Sequence, residues 1–118
     1  MRIISQNGNV DLPYEKFVFG ITKDNKIACC RECVAPPYEI YNGIIAEYSS
    51  KEKALKAMEM LREVYREYIA TVTTTQGITQ ALIFVDNDED NLKLSANIVK
   101  EIKGNIYFQF PKDDEVKV

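Results

Sequence analysis

The chain has 118 residues, of which 46% are hydrophobic and 28% are charged, and these values are ordinary for a single globular domain. Its net charge of −3 argues against a nucleic-acid-binding protein, which usually has a basic surface, and is too small for a mimic of DNA. The sequence contains no histidine, which is the commonest general base near neutral pH and the commonest zinc ligand. We therefore expect a binding protein that needs no cofactor rather than an enzyme.

The N-terminal residues lack the apolar core of a signal peptide, and no apolar run approaches the ~20 residues that a membrane span requires. The cysteines number three, and an odd number fits reduced thiols better than a framework of disulfide bonds. Both features predict a cytoplasmic protein with no membrane contact.

The first part of the chain is dominated by strand and turn patterns. Short runs rich in β-branched and aromatic residues predict strands at 2–6, 9–12, 17–22, 27–34 and 44–48. Asn7 and Gly8 lie between the first two runs and predict a two-residue hairpin turn, in which both central positions need a positive φ. The polar residues 23–26 predict a second hairpin turn. The sequence therefore predicts an antiparallel N-terminal sheet.

Residues 49–69 form the clearest helical pattern. Apolar side chains recur from Ala54 onward at alternating four- and three-residue steps, which places them on one face of a helix, at Ala54, Met58, Leu61, Tyr65, Tyr68 and, just beyond this range, Val72. Ser49 and Glu52 have the S-x-x-E form of a capping box, which predicts the start of the helix. The threonines and Gly77 within 71–80 favour helix poorly, so we expect the helix to end or fray there.

The C-terminal part is predicted to contain a strand, a helix and another strand. Residues 81–85, with the sequence ALIFV, suit a buried strand, and residues 106–110, with the sequence IYFQF, suit another that ends before Pro111. Between them, a stripe of residues at helical spacing predicts a second helix, at Leu92, Ser95 or Ala96, Val99 and Ile102. Gly104 and Asn105 are expected to end this helix. This order has the form of a small βαβ unit.

These elements together predict one α+β domain over residues 1–118. Its antiparallel N-terminal sheet packs on the long amphipathic helix, and the second helix lies near the C-terminus. The last residues, 112–118, are polar, and we expect a loose tail there.

Two short motifs suggest metal or redox chemistry, and each has a simpler interpretation. Cys30 and Cys33 form a CxxC, but they lie in a predicted strand rather than at a helix N-terminus, which favours structural cysteines over a redox pair or a metal site shared between subunits. Residues 86–90 begin like a calcium-binding loop. Asn91 and Asn97 replace the glycine and the bidentate glutamate of such a loop, so a solvated helix start is favoured.

A binding site for a small anionic ligand is predicted from basic and aromatic residues. Arginine neutralises phosphate, and an aromatic ring stacks on a base. The candidate ligand-binding residues are Arg2, Arg31, Arg62, Arg66 and Tyr65. The helical stripe that carries Tyr65 and Tyr68 is wide enough for both a core and a partner. We therefore expect a homo-oligomer with the ligand at a subunit interface.

Distinctive motifs occur near both ends of the chain. They are residues 1–8 (MRIISQNG), 11–15 (DLPYE), 46–50 (AEYSS), Lys53 with Ala54, 57–62 (AMEMLR), and 108–111 (FQFP) with Asp113, Asp114 and Glu115. Together they resemble a group of small proteins carried by phages, prophages and mobile elements of Gram-positive gut bacteria. The resemblance covers residues 1–65 and 106–118, and 69–105 corresponds to the variable insert of that group.

The resemblance implies an accessory protein that acts in the cytoplasm of a host bacterium and antagonises its defence by stoichiometric binding. Our first hypothesis is that the protein sequesters a small anionic ligand, such as a cyclic nucleotide immune signal. The alternatives are an inhibitor that docks on a host defence enzyme and a structural or regulatory phage protein. An inhibitor needs an exposed apolar patch larger than roughly a few hundred Å².

Overall fold

The computed structural model describes most of the chain. The described residues are 1–31, 42–85, 93, 96–98, 100–101 and 106–118, with residues 42, 79 and 82–85 described by their backbone alone. They belong to two compact units, of which the first comprises Met1–Arg62 with Tyr107–Val118 and the second comprises Glu63–Ile106. In the described parts of the chain, no helix combines the length and the apolar composition that crossing a bilayer requires.

The first unit contains two three-stranded sheets. Its strands are β1 (Arg2–Ile4), β2 (Asp11–Pro13), β3 (Phe17–Ile21), β4 (Lys26–Arg31), β5 (Asn42–Glu47) and β6 (Tyr107–Gln109). One sheet has the order β2-β1-β6, in which β1 pairs antiparallel with β2 and parallel with β6. The other has the order β3-β4-β5 and is antiparallel throughout. Short 3-10 turns follow β2 and β6, at Tyr14–Lys16 and Asp113–Glu115.

The predicted α+β class is confirmed. Helix α1 spans Lys51–Val85 and follows the antiparallel N-terminal strands, as the sequence pattern indicated. Residues 93, 96–98 and 100–101 are helical and belong to a second, short helix near the C-terminus. The predicted closing residues of that helix lie outside the described residues.

The loop between β1 and β2 is longer than predicted. The Ser5 N–H donates to the carbonyl of Val10 at 2.8 Å, and the Gly8 N–H donates to the carbonyl of Ser5 at 2.9 Å. Gly8 has a φ of 79°, but Asn7 does not share a positive φ. Instead, Asn7 Oδ1 accepts the N–H of Asn9 at 3.0 Å and forms an Asx-turn, which stabilises the longer loop. The two-residue turn was therefore a wrong prediction, whereas the antiparallel pairing is confirmed.

The second hairpin agrees with the sequence pattern. The Thr22 N–H donates to the carbonyl of Lys26 at 2.8 Å, and Asn25 adopts the left-handed conformation that asparagine tolerates, with a φ of 60°. The described part of its second strand ends at Arg31, so the predicted extension to residue 34 lies outside the described residues.

The N-cap of helix α1 lies one residue later than predicted. Ser50 Oγ accepts the N–H of Lys53 at 3.2 Å and therefore occupies the N-cap position. The hydroxyl of Ser49 instead donates to Asp113 Oδ2 at 3.0 Å, and its N–H donates to Asp113 Oδ1 at 2.7 Å. The capping box of Ser49 and Glu52 was a wrong prediction, because an acidic side chain from the C-terminal segment binds Ser49.

The C-terminal end of α1 also differs from the prediction. The helix continues through the threonine-rich segment and includes residues 81–85, so the predicted strand there and the βαβ unit are wrong. Extending an existing helix is much easier than nucleating one, which offsets the low helix propensity of threonine. The Thr75 hydroxyl donates to the carbonyl of Thr71 at 2.8 Å, which satisfies this polar group within the helix.

The core of the first unit combines strand and helix residues. Ile3, Ile27 and Phe110 are fully buried, and Phe108 packs edge-on against Phe110 with ring centroids 5.1 Å apart. The buried helix residues of this unit are spaced for one helix face, at Ala54, Ala57, Met58 and Leu61. The stripe that the sequence predicted therefore serves the core along the first turns of α1.

Gln6 connects three chain segments of the first unit. Its side-chain Nε2 donates to the carbonyls of Glu47 and Pro111, both at 3.0 Å, and its Oε1 accepts the Glu47 N–H at 3.0 Å. Its backbone N–H donates to the carbonyl of Ile45 at 2.9 Å. The end of β5 and the segment after β6 are thus bound by one residue that follows β1.

Asp113 ties the C-terminal segment to the start of α1. In addition to its two bonds with Ser49, its carboxylate accepts the Lys53 ammonium at 3.2 Å, and its carbonyl accepts the same ammonium at 2.9 Å. The Tyr48 hydroxyl donates to the carbonyl of Pro111 at 2.8 Å. The backbone N–H of Ser49, followed by its hydroxyl and by Lys53, lowers the pKa of the Asp113 carboxyl.

We expect Gln6→Ala to lower the free energy of unfolding by about 1–3 kcal/mol, because it removes two side-chain hydrogen bonds to the backbone of Glu47 and one to the carbonyl of Pro111, which keeps only its bond from Tyr48 among the described residues. The measurement is urea denaturation followed by circular dichroism. Gln109→Ala is the matched control, since within the described residues the Gln109 amide donates one bond, 3.4 Å long, to the carbonyl of Ser5. Equal stability of the two variants would contradict the connecting role of Gln6.

We expect Asp113→Asn to lower the urea midpoint at pH 7, because an amide nitrogen cannot accept the Ser49 hydroxyl or the Lys53 ammonium. The folded state lowers the pKa of Asp113, so the carboxylate contributes its full stabilisation above the unfolded value of about 3.9. That contribution is lost as the pH falls through the lower, folded-state pKa. The difference between wild type and variant should therefore vanish in acid.

Asp114→Asn is the control for this series, because Asp114 is exposed and has no side-chain hydrogen bond among the described residues. If the urea midpoint of the wild type stayed above that of Asp113→Asn by the same amount in acid, the charge of the carboxylate would not be the cause of the difference.

Candidate functional site

The sheet β3-β4-β5 has one buried and one exposed face. Side chains alternate between faces along a strand, and cross-strand partners share a face. Val18 pairs with Cys30, Gly20 with Ala28, and Ala28 with Ile44, so these five residues lie on one face, which we call the outer face. On the opposite face, the β4 residues are buried in the core of the unit.

A β-bulge in β5 sets which apolar residues reach the outer face. Ile27 pairs with Ala46 whereas Ala28 pairs with Ile44, so Ile45 is an extra residue in this strand. Both Ile45 and Ala46 are buried, at 3% and 2% exposure, while Ile44 remains 48% exposed. The apolar sequence of this strand has no alternation, so it gives no indication that Ile44 is the residue that faces outward.

The outer face forms a shallow apolar depression of about 470 Å³. Val18, 55% exposed, and Ile44, 48% exposed, supply its large side chains. Gly20 leaves open space in it, because a Cβ placed there would meet no atom within 4 Å. Apart from the thiols of Cys29 and Cys30 and the hydroxyl of Thr22, the side chains that line it carry no polar group. Such a surface favours contact with another apolar surface over contact with a charged ligand.

Charged residues border the outer face at one end. Lys26 and Glu47 pair across β4 and β5, and their side chains form an ion pair of 3.5 Å. The Glu47 side chain is largely exposed and that of Lys26 is partly exposed, so the pair contributes little to stability. An apolar centre with a charged edge is the usual composition of a protein–protein contact surface.

Three of the predicted anion-binding residues lie on different elements of the first unit. Arg2 is on β1, where its guanidinium binds both carboxylate oxygens of Asp11; this hydrogen bonding raises the pKa of Arg2 and lowers that of Asp11. Arg31 ends β4 in the other sheet, and Arg62 is exposed on α1 in the first unit. The described contacts of the first unit join none of these three arginines to another.

Tyr65 and Arg66 belong to the second unit. Arg66 is exposed on α1, and Tyr65 is half-buried. The Tyr65 ring stacks on that of Tyr68, with centroids 6.0 Å apart and an interplanar angle of 29°. A role of these residues in ligand binding stays a prediction.

The cysteines of β4 differ in environment. Cys29 is buried and free, and burial is the main cause that raises the pKa of its thiol. Cys30 is free and half-exposed on the outer face. Cys33, the second member of the CxxC, and the acidic residues 86–90 lie outside the described residues. Among the residues that are described, no group of three or more potential ligands is placed to hold a metal ion.

Comparisons with known proteins give no match: no protein-family model, no curated protein and no solved structure is significantly similar to this chain. The outer face is therefore assigned as the candidate site from its exposure and lining residues alone.

We expect a thiol reagent such as N-ethylmaleimide to modify Cys30 of the folded protein much faster than Cys29. Cys30 is accessible on the outer face, whereas Cys29 is 2% exposed and its raised pKa reduces the reactive thiolate. The rates are measured by fragment-ion mass spectrometry, with Cys30→Ser as the control that leaves Cys29 alone in β4. Equal rates in the native protein would show that the outer face is not open.

Proposed function

We propose that the protein acts by stoichiometric binding and that the outer face is its contact surface for another protein. The observation that supports this most is the exposure of Val18 and Ile44 on one continuous apolar face of three strands. Exposed apolar residues that are scattered singly are normal on proteins, but a contiguous apolar depression is typical of an interaction surface.

The chemistry of the outer face favours a protein partner over a small anionic ligand. A cyclic nucleotide needs cations for its phosphate, and the depression is lined by apolar side chains together with Thr22 and the thiols of β4. Arg2, the predicted phosphate ligand nearest the N-terminus, is already paired with Asp11. A partner that inserts an aliphatic or aromatic side chain between Val18 and Ile44 fits these properties better.

The resemblance to accessory proteins of phages and mobile elements suggests where such a partner is found. We infer that the partner is a protein of the bacterial host, and a defence enzyme is the target that the resemblance favours. Inhibition by occupying a surface of the target requires no catalytic group on this chain. The alternative of a structural or regulatory phage protein would use the same surface on a partner encoded by the phage.

We expect Ile44→Lys to weaken partner binding at least about tenfold, since a central apolar contact becomes a charge that must be desolvated. Proteins from a host lysate that bind the immobilised chain are compared among variants, and a candidate partner is then purified and titrated by calorimetry. Leu55→Lys is the matched control, because Leu55 on α1 is 47% exposed and Ile44 is 48% exposed.

Both substitutions are at exposed positions, so each should change the free energy of unfolding by no more than about 0.5 kcal/mol. A partner that binds the Ile44→Lys and Leu55→Lys variants equally would overturn the assignment of the outer face. Stabilisation of the wild type by a cyclic nucleotide in a thermal-shift panel would instead support the anionic-ligand hypothesis.

A further inference from the structure

The two edges of the sheet β3-β4-β5 differ in how their backbone groups are satisfied. The C-terminal end of the β5 edge is covered by Gln6, whose backbone binds Ile45 and whose side chain binds both the N–H and the carbonyl of Glu47. At the other edge lies β3, which in the described structure has β4 as its only hydrogen-bonded neighbour strand. An uncovered edge strand is a template for a further strand.

The register shows which groups of β3 point away from the sheet. Hydrogen-bonded and non-hydrogen-bonded pairs alternate along an antiparallel ladder, and the bond from Thr22 to Lys26 identifies a hydrogen-bonded pair. The backbone N–H and carbonyl groups of Val18 and Gly20 therefore point toward β4. Those of Phe19 and Ile21 point away from the sheet. Within the described residues, no hydrogen bond engages these outward groups.

Strand β3 also lacks the features that protect an edge. Natural edge strands carry charged residues, proline or a bulge that prevent pairing with another chain. The sequence of β3 is FVFGI, without charge or proline, and its pairing with β4 is regular over its whole length.

We propose that a second copy of this chain pairs antiparallel with β3 across a two-fold axis at Gly20. This register places Phe19 of each copy opposite Ile21 of the other and forms four backbone hydrogen bonds from the outward groups. An aromatic residue opposite a β-branched one is a favourable cross-strand pair, and here it lies on the face of Phe19 and Ile21. On the outer face, Gly20 lies opposite its own counterpart and Val18 lies opposite Thr22.

Charge complementarity supports a second copy as the occupant. Lys16 immediately precedes β3 and Asp24 lies in the turn that follows it; both are exposed, and in the described part of the chain neither forms an ion pair. The same two-fold arrangement brings the end of β3 that Lys16 precedes in each copy beside the end that Asp24 follows in the other. An isologous interface requires a surface that is complementary to itself. The edge at β3 meets this requirement in its backbone groups, its side chains and its charges.

The pairing has a consequence for the outer face. Residues that face each other across an antiparallel pair lie on the same side of a sheet, so the outer faces of both copies join into one surface of six strands. This pairing does not depend on the proposed partner protein, since its hydrogen bonds lie at the edge of the sheet.

A cysteine at the proposed axis tests the register directly. Opposed residues of a non-hydrogen-bonded pair have Cα atoms about 4.5 Å apart, which permits a disulfide bond. We expect Gly20→Cys, oxidised with copper–phenanthroline, to form a covalent dimer linked through residue 20, as shown by non-reducing electrophoresis and peptide mass spectrometry. The substitution fits the fold, because a Cβ at Gly20 meets no atom within 4 Å.

Val18→Cys is the matched control. It lies on the same face two residues away, but the register separates the two copies of residue 18 by about 14 Å, too far for a disulfide. The wild-type chain, oxidised in the same way, gives the background from its native thiols. Cross-linking of Val18→Cys as efficient as that of Gly20→Cys would overturn the register.

Charge reversal tests the pairing without oxidation. In sedimentation equilibrium at low salt, we expect K16E and D24K each to weaken dimerisation about tenfold, since two attractive contacts become repulsive, and the K16E/D24K double variant to recover wild-type affinity. K117E, at an exposed position outside β3, should leave dimerisation unchanged. A wild-type chain that stays monomeric at every concentration, or a double variant as weak as the single ones, would overturn the proposal.

Discussion

The hydrogen bonds of Gln6 are the constraint on which the arrangement of the first unit depends. This residue follows β1, yet it binds β5 through Ile45 and Glu47 and binds the segment after β6 through Pro111. Because a glutamine amide offers both a donor and an acceptor, it pairs with the edge of β5 much as another strand would. The ends of the two sheets are thereby held together, and the C-terminal segment is positioned where Asp113 reaches the start of α1.

This arrangement makes the two edges of the β3-β4-β5 sheet unequal. The bonds of Gln6 satisfy the end of β5, whereas β3 retains outward backbone groups at Phe19 and Ile21. The bulge at Ile45 has a similar effect on the faces of the sheet, because it directs two consecutive residues of β5 into the core and leaves Ile44 outside. Local hydrogen bonding near Gln6 and one extra residue in β5 therefore determine which surfaces the sheet presents.

Much of the fold was predictable, because alternation and helical spacing are strong in 17–31 and 51–62. The predictions were wrong where the intrinsic secondary-structure preference of a segment differs from the structure that its neighbours in the fold impose. Threonine disfavours helix on its own, but α1 continues through its threonines, since adding a turn to a helix requires no new nucleus. The candidate site was harder to predict. The apolar run at Ile44, Ile45 and Ala46 has no period, and the role of Gln6 is a contact across 41 residues of sequence.

Val18 and Ile44 are exposed, and their apolar side chains contribute little to the core. Each side chain is about half in solvent, so replacing it by a polar residue would remove little buried area from the core. Stability therefore does not require an apolar residue at either position, and an exposed apolar face increases the tendency to associate. Two such residues on one face, separated by Gly20 and Ala28, support the proposal that another protein covers that face.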